Sequence, residues 1–185
     1  MLSFKDDIVF HNIRTTSMGG KSINLTRKDN SKIQFISKSF AYNIDNDKMC
    51  IPKGLSHEEI YATIKEYIVK HSEVIYGKKL SGDVIDGLYN EHEQSDLIAK
   101  FPIVDKNGRK EFDGIIFDNA KKHVPLCNLK EKCKIQVVVE LVGIYFVPKR
   151  FGLSWKVVQV LTKPNVDLTK YAFRDLEYFE DAIPV

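Results

Sequence analysis

The longest β-forming stretch of the chain most restricts its fold. Cys133 to Val142 reads Cys-Lys-Ile-Gln-Val-Val-Val-Glu-Leu-Val, and after Gly143 the run continues Ile144-Tyr145-Phe146-Val147. Branched side chains lose rotamer freedom in a helix and pack well on a pleated surface, so this run predicts a strand. A glycine inside it marks a bulge or a barrel corner, and hence curvature. Pro148-Lys149-Arg150-Phe151-Gly152 supplies a turn. Leu153 to Thr162 returns as the partner strand, which Pro164 stops.

The remaining segments are shorter. Ile8, Phe10 and Ile13, then Ser22 to Thr26, Ile33 to Phe35 and Phe40 to Ile44, show strand-like alternation, with turn residues at Gly19-Gly20 and Asp29-Asn30-Ser31. They predict a three-stranded antiparallel meander. At residue 56 the period changes. Ser56-His57-Glu58-Glu59 has the form of a capping box with Ser56 as N-cap, and Ile60, Ile64 and Ile68 follow at steps of four before Gly77 ends the segment. Ser81 to Glu93 carries a weaker helical pattern, broken by Gly82 and Gly87. Phe101 to Val104 and Gly114 to Phe117 flank Asp105-Lys106-Asn107-Gly108-Arg109, whose Asn-Gly pair suits a hairpin turn.

The expected architecture is mostly β with one long helix: an OB-fold-like, five-stranded Greek-key barrel, with the helix after the third strand and an inserted hairpin. Residues 1–163 form this domain, with the insertion at about 77–118, and residues 164–185 form an acidic and aromatic C-terminal segment. With 185 residues, 43% apolar and 29% charged, the chain is expected to be a soluble globular domain. The apolar runs are broken by Glu140 and by Pro148-Lys149-Arg150, well short of the roughly 20 apolar residues a membrane-crossing helix needs. The start, Met1-Leu2-Ser3-Phe4-Lys5-Asp6-Asp7, has no apolar core of a signal peptide. Three cysteines, Cys50, Cys127 and Cys133, form no CxxC, which fits a reducing intracellular compartment.

Several chemistries find no pattern to carry them. The chain has no phosphate loop and no dinucleotide fingerprint, and Gly19-Gly20-Lys21-Ser22 reads as a hairpin turn. His123, Cys127 and Cys133 lack a fourth ligand of zinc-site spacing, so both cysteines read as small buried apolar residues. His92, between Glu91 and Glu93, reads as a solvated loop residue. No nucleophile–base set can be assembled, so no catalytic residue, metal or cofactor is expected.

Charge is unevenly spread. Residues 121–163 hold nine Lys/Arg against two Asp/Glu, whereas residues 164–185 hold two against five, within a chain of net charge +3. A basic stretch rich in aromatics meets the two needs of single-strand recognition: cations for phosphates and ring faces for bases. Tyr145 and Phe146 are neighbours on a strand, so one faces out. Trp155 and Lys156 divide in the same way. Lys149, Arg150 and Phe151 lie in the turn, and Lys134, with Lys130 and Lys132, lies at the far end. Phe40 and Tyr42 share a face beside Lys38 and are a second candidate platform. The competing expectation is that these rings fill the core.

Over Lys134 to Leu161, with the preceding Asp105-Lys106-Asn107-Gly108-Arg109-Lys110 hairpin, the chain resembles the replication-type single-stranded DNA-binding proteins of short-tailed phages and their relatives in large nucleocytoplasmic DNA viruses. In order of elements the resemblance extends over residues 30–163. It implies an OB fold with a helix after the third strand. It also implies that Tyr145 and Phe146 stand where an aromatic pair contacts DNA, with Lys134, Lys149, Arg150 and Lys156 along the groove. The phage members end in a long acidic run closed by an aromatic residue. Here the end, Leu176-Glu177-Tyr178-Phe179-Glu180-Asp181-Ala182-Ile183-Pro184-Val185, is only briefly acidic.

The expected function is sequence-tolerant binding of single-stranded DNA in replication, recombination or repair of a viral genome, without catalysis. Contacts to replication proteins through the C-terminal segment and a homo-oligomer are further expectations. The alternative is a structural or interaction protein, such as a minor virion component. RNA binding is a third reading, since stacking does not reject ribose.

Overall fold

The computed structural model describes residues 7–15, 19–90, 96–130 and 133–162. Seven short strands come first: β1 (Ile8–Phe10), β2 (Arg14–Thr15), β3 (Lys21–Arg27), β4 (Ile33–Ile36), β5 (Phe40–Ala41), β6 (Ile44–Asp45) and β7 (Lys48–Pro52). Helices α1 (Leu55–Tyr76) and α2 (Gly82–Leu88) follow, then β8 (Asp96–Lys100), β9 (Ile103–Lys106), β10 (Arg109–Phe112) and β11 (Ile115–Phe117). The long strands β12 (Lys134–Val147) and β13 (Arg150–Thr162) complete the described chain.

The β12–β13 hairpin is the spine of the molecule. Its register shifts between Leu141 and Gly143, so the glycine sits at an irregularity that bends the strand. Any Cβ at Gly143 would collide with the Ile23 carbonyl oxygen, which explains the residue. One edge of β12 is used three times, by β5 at Lys134–Ile135, β4 at Val138–Leu141 and β3 at Gly143–Phe146. The far edge of β13 takes two parallel partners, β8 at Trp155–Lys156 and β11 at Gln159–Leu161. Strands β7 and β6 extend the sheet beyond β8, while β9 and β10 pair only with each other among the described residues.

The expected barrel is corrected in three ways. Among the described residues the sheet has eleven strands and is open, its path running β1-β3-β12-β13-β8-β7-β6, rather than five strands closed on themselves. The described residues hold two α-helices, not one. The long helix follows seven short strands instead of three, because the segment from Phe40 to Pro52 breaks into β5, β6 and β7 at the Asn46-Asp47 turn, where both residues have positive φ. Local details also move. The N-cap of α1 is Gly54, so Ser56 lies within the first turn. The hairpin partner of β9 is β10, and Gly114–Phe117 joins the main sheet through β11. Asn107 and Gly108 do turn that hairpin, with φ of 56° and 77°. Phe151 and Gly152 belong to β13, which leaves only Pro148-Lys149 for the turn.

Helix α1 lies against the inner face of the sheet through Ile60, Ile64, Ile68 and Ile75, all at most 4% exposed. Its ring contacts fix its position along the hairpin. His57 stacks on Trp155 at 6.1 Å, and Tyr76 meets Phe146 edge-on at 5.9 Å. At its C-terminus Lys21 Nζ donates to the carbonyls of Val74 (3.1 Å) and Ile75 (2.6 Å), satisfying acceptors the helix leaves unpaired. Helix α2 is tied on by Asp86, which accepts from Tyr61 Oη and Lys65 Nζ at 2.7 and 2.6 Å. No helix among the described residues is long and apolar enough to cross a membrane.

Candidate nucleic-acid interface

Strand alternation divides the basic, aromatic hairpin between two faces. Phe146, Phe151 and Trp155 point inward and are 4%, 0% and 3% exposed. They are core residues, so the outward members of the two adjacent pairs are Tyr145 and Lys156, and Phe146, Phe151 and Trp155 are corrected from candidate stacking rings to core. The reason is α1 and the segment after α2. Phe151 packs against Tyr89 and Phe146, at ring distances of 5.3 and 6.1 Å, and Trp155 packs between His57 and Phe35. Burying such rings adds to the apolar core that the aliphatic residues of β12 and β13 also build.

Tyr145 faces the other way. It stands opposite Gly152, and its ring covers that glycine so closely that a Cβ there would fall 2.5 Å from Cζ. Asn90 Nδ2 donates to its hydroxyl at 3.3 Å, and Arg150 Nη1 donates to Asn90 Oδ1 at 3.3 Å. The Asn90 backbone N–H is itself anchored on the Phe151 carbonyl at 2.8 Å. Tyr145 is thus a half-buried, positioned ring on the outer face, linked through Asn90 to the Arg150 guanidinium.

Along the same face the register sets three cations side by side. Lys48 of β7 pairs with Lys100 of β8, and Lys100 pairs with Lys156 of β13. Their neighbours Met49, Ala99 and Trp155 are buried, so all three lysines point outward. Adjacent strands lie about 4.8 Å apart, and like charges directly opposite one another are unfavourable. The next position in the row is Glu140 on β12, which is engaged by Lys32 at 3.2 Å. Lys156 Nζ donates to Asp113 at 3.4 Å, a pair with side chains 36% and 57% exposed and therefore weak.

A cleft of about 440 Å³ opens on this face, lined by Lys48, Lys100, Ile98, Ser154, Tyr145 and Asn90. Asp47 at the β6–β7 turn also lines it, one acid against the surrounding cations. Such a trough offers phosphate contacts from β7 and β8, with Lys156 of β13 next in the row, and one ring face and amide groups.

Of the sequence-predicted residues, Tyr145 and Trp155 line this cleft, whereas Lys156 and Arg150 do not. Lys149 is exposed in the turn between β12 and β13. Lys134 is exposed at the opposite end of β12, paired with Ala41. Phe40 and Tyr42 are half-buried and pack against the core, Tyr42 edge-on to Phe101 at 6.4 Å, so they form no second open platform. Lys38 is exposed beside β4 on a separate cleft. Lys130 is exposed, whereas Lys132, His92 and the segment 164–185 lie outside the described residues. Cys127 is exposed rather than buried; Cys133 is buried, which pushes its thiol pKa up. Lys48, Lys100 and Asn90 were not foreseen. Their only sequence trace is the alternation of Lys48-Met49-Cys50-Ile51 and of Leu97-Ile98-Ala99-Lys100, which places each lysine on an outward face but not beside its partner.

A family model described as a family of unknown function (DUF5871) matches residues 12–175. The chain belongs to this family. Among curated proteins none matches the sequence. Among solved structures, the chain is similar to a C-terminal truncation of the single-stranded DNA-binding protein from bacteriophage Enc34, at 9% identity and a TM-score of 0.34, over 86% of this chain and 96% of that one. A second structure, the Enc34 protein in complex with single-stranded DNA, gives 11% identity and a TM-score of 0.30, over 84% and 92%. Both likenesses are weak.

Proposed function

We propose that this protein binds single-stranded DNA with little sequence preference through the outer face of β7, β8, β13 and β12, and does so without a catalytic step. The observation that supports this most is the in-register row Lys48–Lys100–Lys156 beside the outward ring of Tyr145. A fold that sets like charges opposite one another carries a repulsion that a bound polyanion removes. Tyr145 adds a face for one base, at roughly 1–3 kcal/mol, and Arg150 and Lys149 extend the cationic path past the hairpin tip. The open, curved sheet around a long central hairpin serves here as an OB-like platform, and replication, recombination or repair of a viral genome is the setting in which such binding is needed.

The test is titration of a fluorescein-labelled oligo-dT with the full chain at about 50 mM and about 300 mM salt. Binding should weaken steeply between the two, at about 0.7 log units per log unit of salt for each phosphate neutralised. Absence of binding at the lower salt and 10 μM protein overturns the proposal.

A second reading, an interaction protein such as a virion component, has one observation of its own. The outer face beyond the lysine row turns apolar around Ile36, which is 77% exposed, and a cleft of about 390 Å³ lies there between Val138, Phe117 and Leu161. Retained oligo-dT binding after Ile36→Glu assigns that patch to something other than the DNA path.

A further inference from the structure

A second cleft, of about 460 Å³, opens on the helix side of the sheet between β4 and the β7–α1 connection. Its size lies within the roughly 300–1,000 Å³ typical of small-molecule pockets. Phe35, His57 and Trp155 give it planar walls, with Phe35 edge-on to Trp155 at 6.3 Å. Lys38 and Lys53 stand in its lining, Gly54 brings in the N-terminal end of the 22-residue α1, and none of the described lining residues is acidic. An anionic group is therefore favoured at this mouth by side-chain charge and by the helix terminus together.

One buried atom points to an occupant. The Trp155 indole N–H is sealed in, with no acceptor among the described residues. A buried donor left unpaired costs about 1–3 kcal/mol and calls for an explanation. Phe35, which helps to enclose it, is half-buried and sits on β4, a four-residue strand whose named strand partner is β12 alone. A planar ligand that displaces the Phe35 ring can bring a carbonyl oxygen to that N–H.

We propose that this cleft is a nucleotide site: the base enters beside Trp155 in place of the Phe35 ring, a base carbonyl accepts from Trp155, and the phosphate lies at Lys38 and Lys53. The same chemistry is available from a free mononucleotide or from one base of a bound strand, and the strand form rests on the function proposed above.

The two sources and the two proposals separate in one calorimetric series with the full chain, using thymidine monophosphate and oligo-dT against native protein, W155F and the pair K38Q/K53Q. Trp155→Phe removes the donor together with part of the indole's packed volume, so its effect is read beside that of K38Q/K53Q, which leaves the core intact. Heat with thymidine monophosphate, weakened about five- to tenfold in W155F and again in K38Q/K53Q, supports a free-nucleotide site. Heat with oligo-dT alone, weakened to the same degree by both variants, supports a strand base as the occupant. Oligo-dT binding that both variants leave unchanged, with no heat from thymidine monophosphate, overturns the site and leaves the outer trough standing. Thymidine monophosphate binding without oligo-dT binding supports the site and overturns the trough. Thermal unfolding monitors each variant, and if W155F does not fold, K38Q/K53Q decides the outcome, since both lysines can be changed without opening the core.

Discussion

The two faces of the β12–β13 hairpin carry similar residues with opposite consequences. Inward, Phe146, Phe151 and Trp155 are sealed under α1, and their value is stability. Outward, Tyr145 and Lys156 are half-buried on the open face, where Lys156 meets Lys100 and, one strand further, Lys48. The inner face is arranged so that neighbours attract. The outer face sets like charges opposite one another, which a sheet selected for stability alone would not keep. Single-residue alternation therefore separates what holds the fold from what the fold offers to a ligand.

The largest expected effect is on the inner face. Phe151→Ala removes a fully buried ring and should cost about 3–5 kcal/mol of unfolding free energy in a urea titration. A loss below about 1 kcal/mol would break the contrast, because Phe151 would then not be core. On the outer face, K48Q/K100Q/K156Q should weaken oligo-dT binding on the order of a hundredfold at about 50 mM salt and lower the salt slope by about 2. Its stability should hold or rise slightly, by up to about 1 kcal/mol, as the cross-strand repulsion goes. A matching fall in stability would show that the lysines are structural.

Tyr145→Ala should cost about 1–3 kcal/mol of binding if one base stacks on the ring. Equal affinity of the alanine variant for oligo-dT sinks that role. The smallest effect tests the inner face again. Burial pushes the Tyr76 hydroxyl pKa up to about 12, and the oxygen has no partner among the described residues. The folded state thus favours the neutral phenol. That contribution is present below the unfolded value near 10 and is lost as pH rises towards 12. Tyr76→Phe should leave stability at pH 8 equal or up to about 1 kcal/mol higher. It should also reduce the loss between pH 10 and 12, read from urea midpoints at each pH. Tyr61, raised by burial and by its bond to Asp86, keeps part of that alkaline loss in the variant.

What could be read from the sequence was local. The β-branched run from Cys133 with Gly143 within it, the Asn107-Gly108 turn and the Ile60-Ile64-Ile68 spacing each encode their own geometry within a few residues. Adjacent pairs such as Tyr145-Phe146 and Trp155-Lys156 also announced that one member of each would face out. Which member did so depended on where α1 docks, and that contact spans nearly a hundred residues from His57 to Trp155. The lysine row was hidden for the same reason: Lys48, Lys100 and Lys156 become neighbours only through the register of β7, β8 and β13. Cross-strand register is set by which hydrophobic faces share a core, a property of the assembled sheet and not of any one segment. The sequence by itself thus determined the strands, the turns and the alternation; the tertiary structure alone decided that the sheet stays open, which face is buried, and where the charges converge.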